Sequence, residues 1–165
     1  ADVVLGEAEP GGRLAESFPA SGDELPSSAN WPGTPTQVEY REGLYVGYRF
    51  HDTAGVAARF PFGHGLSYTT FAYSGLKVTA RKDGSGATVT VTVKNTGKRA
   101  GSEVVQVYVR DIESSLYRPA KELRGFRKVH LAAGKSAKVE VDLDKRAFAV
   151  WDIGAGAWVV ERGDF

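Results

Sequence analysis

The chain has 165 residues, 42% hydrophobic and 25% charged, with 20 Gly and neither Cys nor Met; this is ordinary globular composition, and it excludes disorder, collagen and coiled coil as descriptions of the whole. Twenty-one Lys+Arg against 20 Asp+Glu leave a net charge of +1, which gives no whole-chain field for nucleic acid or anionic lipid, and the lack of Cys removes disulfides, thiolate metal sites and cysteine nucleophiles together. No apolar run reaches the roughly 18 residues that span a bilayer, Ala1–Gly6 has no signal-peptide pattern, and the length suits one core with an extension rather than a complete large enzyme.

Six of the seven prolines lie at or before Pro61, and residues 1–65 carry four Lys+Arg against nine Asp+Glu. Residues 66–165 carry the other seventeen Lys+Arg, eleven Asp+Glu and only Pro119. The change of proline content and charge sign places a boundary between an acidic, turn-rich first part and a basic β domain, with the junction between Pro61 and Ser74. In the first part, Ala1–Leu5 before Gly6 reads as the last turn of a helix with a glycine cap, and Pro10-Gly11-Gly12 forces a turn. Arg13–Phe18 predicts one short strand before Pro19. Ala20–Thr36, rich in Ser, Gly, Pro and Asn, predicts an extended loop of the kind that often lines a site. Tyr40–Phe50, rich in Tyr and Val, predicts a strand or hairpin presenting aromatic side chains.

The second part is more regular. Val89, Val91 and Val93 alternate with Thr88, Thr90, Thr92 and Lys94; Val105, Val107 and Val109 alternate with Gln106, Tyr108 and Arg110; Val139, Val141 and Leu143 repeat the pattern. A period of two is that of a strand with one face buried and the other wet. With Phe71–Thr79, Leu123–Leu131, and Phe148–Trp151 and Trp158–Glu161 flanking the turn Gly154-Ala155-Gly156, about seven short strands result. Such spacing predicts a mainly β fold, an immunoglobulin- or fibronectin type III-like sandwich, preceded by an irregular tail.

Side chains that could carry chemistry are sparse. Trp31, Tyr40, Tyr45 and Tyr48 are candidates for a sugar-stacking wall, because aromatic faces suit the apolar face of a pyranose; the competing reading packs them between the two parts of the chain. Glu42 and Asp52 read as solvated or ion-paired carboxylates rather than a catalytic pair. His51, His64 and His130 are too scattered for a short metal motif, so no metal or cofactor is expected. Arg118, Lys121, Arg124, Arg127 and Lys128 form a basic run better explained by a solvated strand face or by salt bridges to the acidic first part than by nucleic acid. Gly125 inside it marks a bulge. Trp151 and Trp158 are expected to be core.

Five stretches together resemble the C-terminal end of glycoside hydrolase family 3, the family of many β-glucosidases. They are Ala1–Gly6 leading to Gly12-Arg13-Leu14 and Ser17-Phe18-Pro19; Tyr40-Arg41-Glu42-Gly43-Leu44-Tyr45-Val46-Gly47-Tyr48-Arg49; Phe60-Pro61-Phe62-Gly63-His64-Gly65-Leu66-Ser67-Tyr68 with Thr69-Thr70-Phe71; Val91–Val109 through Asn95-Thr96-Gly97 and Gly101; and Lys121-Glu122-Leu123-Arg124-Gly125-Phe126-Arg127-Lys128-Val129. The resemblance implies a parent with a barrel, an α/β sandwich domain and a fibronectin type III-like domain. Residues 1–65 would be the end of the α/β domain and residues 66–165 most of the third. The parent would cleave β-linked oligosaccharides or aryl glucosides with retention, which needs an ionised and a protonated carboxyl about 5–5.5 Å apart. The family's nucleophile lies in a Ser-Asp-Trp-like string, yet Trp31, Trp151 and Trp158 follow Asn30, Val150 and Ala157. Its acid/base Glu would lie upstream of Ala1. No catalytic residue is therefore expected here, nor a nucleic-acid or membrane partner; the chain would support the upstream barrel and α/β domains. Beyond Arg162-Gly163-Asp164-Phe165 the family continues into a final strand, so the sandwich is expected to lack it and to be less stable than a longer version. A free-standing carbohydrate- or protein-binding module, and a split-enzyme subunit, are the alternatives. Neither sugar specificity nor compartment is written in these residues.

Overall fold

A computed structural model describes all residues 1–165. It is mainly β, a fibronectin type III-like sandwich preceded by a largely irregular segment, as the strand periodicity predicts. Helix α1 (Asp2–Leu5) ends at Gly6, whose φ of 77° supplies the left-handed cap. Residues 14–18 then run antiparallel to 60–64: Leu14 N–H donates to His64 O at 2.8 Å and Gly63 N–H to Leu14 O at 2.8 Å, and Phe18 and Phe60 exchange two bonds. The strand expected over Arg13–Phe18 is thus only a bridge. Helix α2 (Tyr48–Ala54) replaces the strand or hairpin expected over Tyr40–Phe50. Gly43 and Gly47, at φ 57° and 56°, turn the chain where a ladder would have to continue.

The sandwich holds β1 (Phe71–Ala80), β2 (Gly86–Asn95), β3 (Gly101–Val109), β4 (Glu122–Leu131) and β5 (Ser136–Asp144). One sheet has the order β1-β2-β5 and the other pairs β3 with β4, all antiparallel. A small hairpin, β6 (Val150–Asp152) and β7 (Ala157–Val159), follows. Val89, Val91, Val93, Val105, Val109, Val139, Val141 and Leu143 are all buried in one core, while the intervening Thr, Lys and Glu residues are wetter. Two bulges adjust the sheets. In β1, Gly75 (φ 62°) and Leu76 together oppose Val91, which keeps Tyr73 and Val78 on one face, opposite Val93 and Val89. In β4, Arg124 is the extra residue between the pairs Val107–Gly125 and Tyr108–Leu123. A Cβ at Gly125 would come within 2.5 Å of Val141 Cγ1, so glycine is needed there for the sheets to approach.

Asn95 at the end of β2 is fully buried, at 0% exposure. Its Oδ1 accepts from Thr69 Oγ1 at 2.6 Å and Gly97 N–H at 3.0 Å, and its Nδ2 donates to Arg99 O at 2.7 Å and Leu131 O at 3.0 Å. The bonds to Thr69 and Leu131 are buried and the other two part-buried, so losing the amide strands polar groups inside the fold. Asn95→Ala is expected to lower the unfolding free energy by roughly 2–4 kcal/mol. Urea unfolding followed by Trp fluorescence checks this, with an unchanged midpoint as the contrary result.

Candidate functional site

The first 65 residues are fastened to the sandwich by polar groups that are far apart in sequence. The Glu9 carboxylate accepts the Ser67 hydroxyl and, at 3.1 Å, Ser102 N–H at the head of β3. Arg13 pairs with Glu103 at 2.9 Å, both side chains being largely buried. At the other end, Tyr48 Oη accepts Leu123 N–H at 2.7 Å and Thr53 Oγ1 accepts Ala120 N–H at 2.9 Å. Asp52 meets Lys121 at 3.2 Å. The Tyr48 ring lies 5.0 Å from Phe62 and 5.5 Å, edge-on, from Tyr108. Helix α2 is seven residues long and owes its place to these contacts rather than to propensity.

The four aromatic candidates therefore occupy two environments. Tyr45 packs on Tyr117 at 4.9 Å. Its hydroxyl is buried with no hydrogen-bond partner, and burial above all, with the Tyr117 and Glu122 charges behind it, raises its pKa. Tyr48 is engaged as described. Trp31 and Tyr40, by contrast, are 70% and 85% exposed on the loop that precedes α2. Glu42 accepts Tyr45 N–H through its carbonyl, and Asp52 is committed to Lys121.

The remaining polar residues mostly serve the fold. His51 is buried with Nδ1 3.0 Å from Val56 O; His64 packs against Phe60; His130 Nδ1 lies 3.1 Å from Ser102 Oγ. Three widely separated neighbourhoods result. Within the basic run, Arg118 is buried between Asp111 and Glu122, 2.9 Å from each, and Arg124 also reaches Glu122 at 2.8 Å. Such a cluster answers its own charge, leaving little for a ligand. Only Lys121 bridges to the first part. Trp151 and Trp158, expected in the core, are instead half-exposed, edge-on to each other at 5.5 Å, with the Arg146 guanidinium over the Trp158 ring. A three-residue hairpin strand is too short to carry them beneath a second layer. No helix is long and apolar enough to cross a membrane.

The Glu9, Arg13–Glu103, Tyr48–Leu123 and Arg118 contacts were not foreseen from the sequence. The first three join groups that only tertiary folding brings together, whereas Arg118 meets Asp111 and Glu122 seven and four residues away, outside any helix whose period would announce them. The Tyr73 hydroxyl, beside the Arg13–Glu103 pair, has its pKa pushed up from 10.0 to about 12, by burial first and then by the negative charge of Glu103, with Arg13 opposing.

A model of the fibronectin type III-like domain matches residues 103–165. Over its full length the chain is 52% identical to thermostable β-glucosidase B of Acetivibrio thermocellus and spans 22% of that protein. It superposes on the glycoside hydrolase family 3 β-glucosidase of Bifidobacterium adolescentis with a TM-score of 0.93 at 47% identity, over 98% of this chain and 24% of the other. The chain belongs to glycoside hydrolase family 3, in its C-terminal part. A further family relative, the exo-alpha-(1->6)-L-arabinopyranosidase of Bifidobacterium longum, is 47% identical over all of this chain and 22% of its own length. The chain thus spans less than a quarter of the length of these relatives.

Two outcomes follow from the junction. Tyr48→Phe removes the acceptor of a part-buried backbone N–H and is expected to cost about 1–2 kcal/mol, read as an earlier urea midpoint. Because the folded pKa of Tyr73 lies above its unfolded value, the contribution of its neutral hydroxyl is complete below pH 10 and is lost as pH rises through about 12. In Tyr73→Phe the stability loss between those values is expected to be shallower, and a phenolate absorbance titration should lose a late-ionising group.

Proposed function

We propose that this chain is the non-catalytic C-terminal portion of a retaining β-glycosidase, most directly a β-glucosidase, in which it supports the upstream barrel and α/β domains. On this reading residues 1–65 close the α/β domain and residues 66–165 form the fibronectin type III-like domain. The parent's substrates would be β-linked oligosaccharides or aryl glucosides, with no nucleic acid or membrane involved. One observation supports the non-catalytic assignment: of two clefts of about 490 Å³, one is bounded chiefly by Val, Leu, Tyr and Phe with no Asp or Glu, and the other holds a single carboxylate, Glu140, where retention needs two facing carboxyls. That similar portions occur in a protein named a β-glucosidase and in one named an arabinopyranosidase supports a role in framework rather than in choice of sugar.

Of the four aromatic candidates, Trp31 and Tyr40 have free faces to offer a sugar held by the neighbouring domains, whereas Tyr45 and Tyr48 work at the junction. In the full-length enzyme, Trp31→Ala and Tyr40→Ala are expected to raise KM for an aryl β-glucoside about three- to tenfold, the loss of one stacking contact of ~1 kcal/mol, with kcat little changed. Tyr48→Phe should lower stability and leave KM alone. The isolated chain is expected to hydrolyse no aryl β-glucoside. Turnover by highly purified chain that a substitution within it abolishes would overturn the non-catalytic assignment, and unchanged KM in both aromatic variants would overturn the subsite role.

A further inference from the structure

The hairpin β6–β7 carries its largest side chains on the outside. Its facing pairs are Val150–Val159, Trp151–Trp158 and Asp152–Ala157, so alternation puts the two Trp on one face and the flanking pairs on the other. Val150 and Val159 are half-buried, whereas Trp151 and Trp158, 46% and 44% exposed, look outward. A cross-strand aromatic pair steadies a hairpin on either face, and burial of apolar area favours placing the larger side chains inside. Two indoles on the wet face are therefore left without a structural reason.

The face is held rigidly. Asp152 Oδ1 accepts Gly154 N–H at 2.8 Å and Ala155 N–H at 3.2 Å, which fixes the tip. Arg146 stands on the short 3-10 turn Lys145–Phe148, which Asp144 Oδ1 caps by accepting Ala147 N–H at 3.0 Å. Its guanidinium lies 3.1 Å from the centre of the Trp158 ring and takes part in no salt bridge, so its N–H groups stay free to donate. The two rings meet at 62°, forming an open corner rather than a closed stack. Size and charge select the occupant. Two half-exposed indoles offer about 200 Å², well short of the ~800 Å² that a stable protein interface takes from each partner. The nearby charges, Asp144 and Asp152 against Lys145 and Arg146, cancel two for two, which gives no hold on a polyanion. One or two neutral sugar rings fit: the apolar face of a pyranose stacks on an indole, and its hydroxyls accept guanidinium N–H groups.

We propose that β6–β7 carries a surface site for a neutral β-linked glucan chain, in which Trp151 and Trp158 stack on one or two rings and Arg146 donates to their hydroxyls. The site holds polymer and performs no cleavage. It rests on the reading of the parent as a β-glycosidase, which supplies the reason for a glucan among neutral sugars.

The test is migration of the full-length enzyme in native gels containing hydroxyethylcellulose, with the dissociation constant read from retardation against polymer concentration. Trp151→Ala and Trp158→Ala are each expected to raise it about fivefold or more, and Arg146→Ala, which leaves the hairpin pairing intact, about threefold. Turnover of an aryl β-glucoside should not move in any of the three. No retardation of the unsubstituted enzyme, or equal retardation of all four proteins, would overturn the proposal. So would a loss of retardation matched by a loss of turnover in Arg146→Ala, which places the polymer in the catalytic cleft. A dimer in light scattering that Trp151→Ala dissolves would make a second copy the occupant and overturn it equally. Where a Trp variant fails to fold, Arg146→Ala decides alone. Absence of aryl β-glucoside turnover by the unsubstituted enzyme would sink the parent's assignment and leave migration unaffected, so the two readings fail separately.

Discussion

One buried amide ties the sandwich together. Asn95 sits where β2 gives way to the turn before β3, and its four bonds reach the approach to β1, the turn itself, and the last residue of β4. Asn95 belongs to one sheet and its partner Leu131 to the other. An apolar core is non-directional and would tolerate one sheet sliding over the other, whereas a fully satisfied amide fixes their offset, since every shift leaves a buried donor or acceptor without a partner. Packing of Val93, Val139 and Leu131 then proceeds in a frame already set.

The tail depends on that frame. Glu9 reads the first turn of β3 and Thr69 precedes β1, so the residues that fasten the first part lie beside those that Asn95 holds. At the far end, α2 is placed by Thr53 on the backbone amide of Ala120, just before β4, and by Tyr48 on that of Leu123, at its start. Residues 1–65 and the sandwich therefore share a polar seam, although composition divides the chain sharply near Pro61. Composition records which side of an interface a residue came from; it does not record how tightly the interface is drawn.

Legibility in the sequence followed the range of the interactions. Strands whose period of two comes from burial on one face, as in β2 and β5, were readable to within a residue or two, and so was the Gly6 cap, because a positive φ leaves a local mark. The bulge beside Gly125 was readable because a glycine inside a strand pattern marks a bulge or a close approach of another chain segment. The stretch before α2 misled, since Tyr and Val density suggests strand while Gly43 and Gly47 and the distant Leu123 and Ala120 decide otherwise. The burial expected for Trp151 and Trp158 also failed, because side-chain size predicts burial only where a second layer exists to cover it. Family resemblance matched the chain to the C-terminal part of glycoside hydrolase family 3, something periodicity alone has no means to express.

The antiparallel zipper of 14–18 with 60–64 has a consequence for how such proteins vary. It forms a neck that pins the entry of the loop that carries Trp31 and Tyr40, and α2, held to the sandwich by Tyr48, Asp52 and Thr53, pins its exit, so the sandwich does not feel the contour of the residues between. Closing a loop through a fixed neck depends only logarithmically on its length, about 0.6 kcal/mol for a doubling. Insertions between Pro19 and Tyr40 are therefore cheap, while insertions within the neck or in α2 break paired groups. Evolution can lengthen, shorten or rewrite that surface and leave the core of the domain untouched.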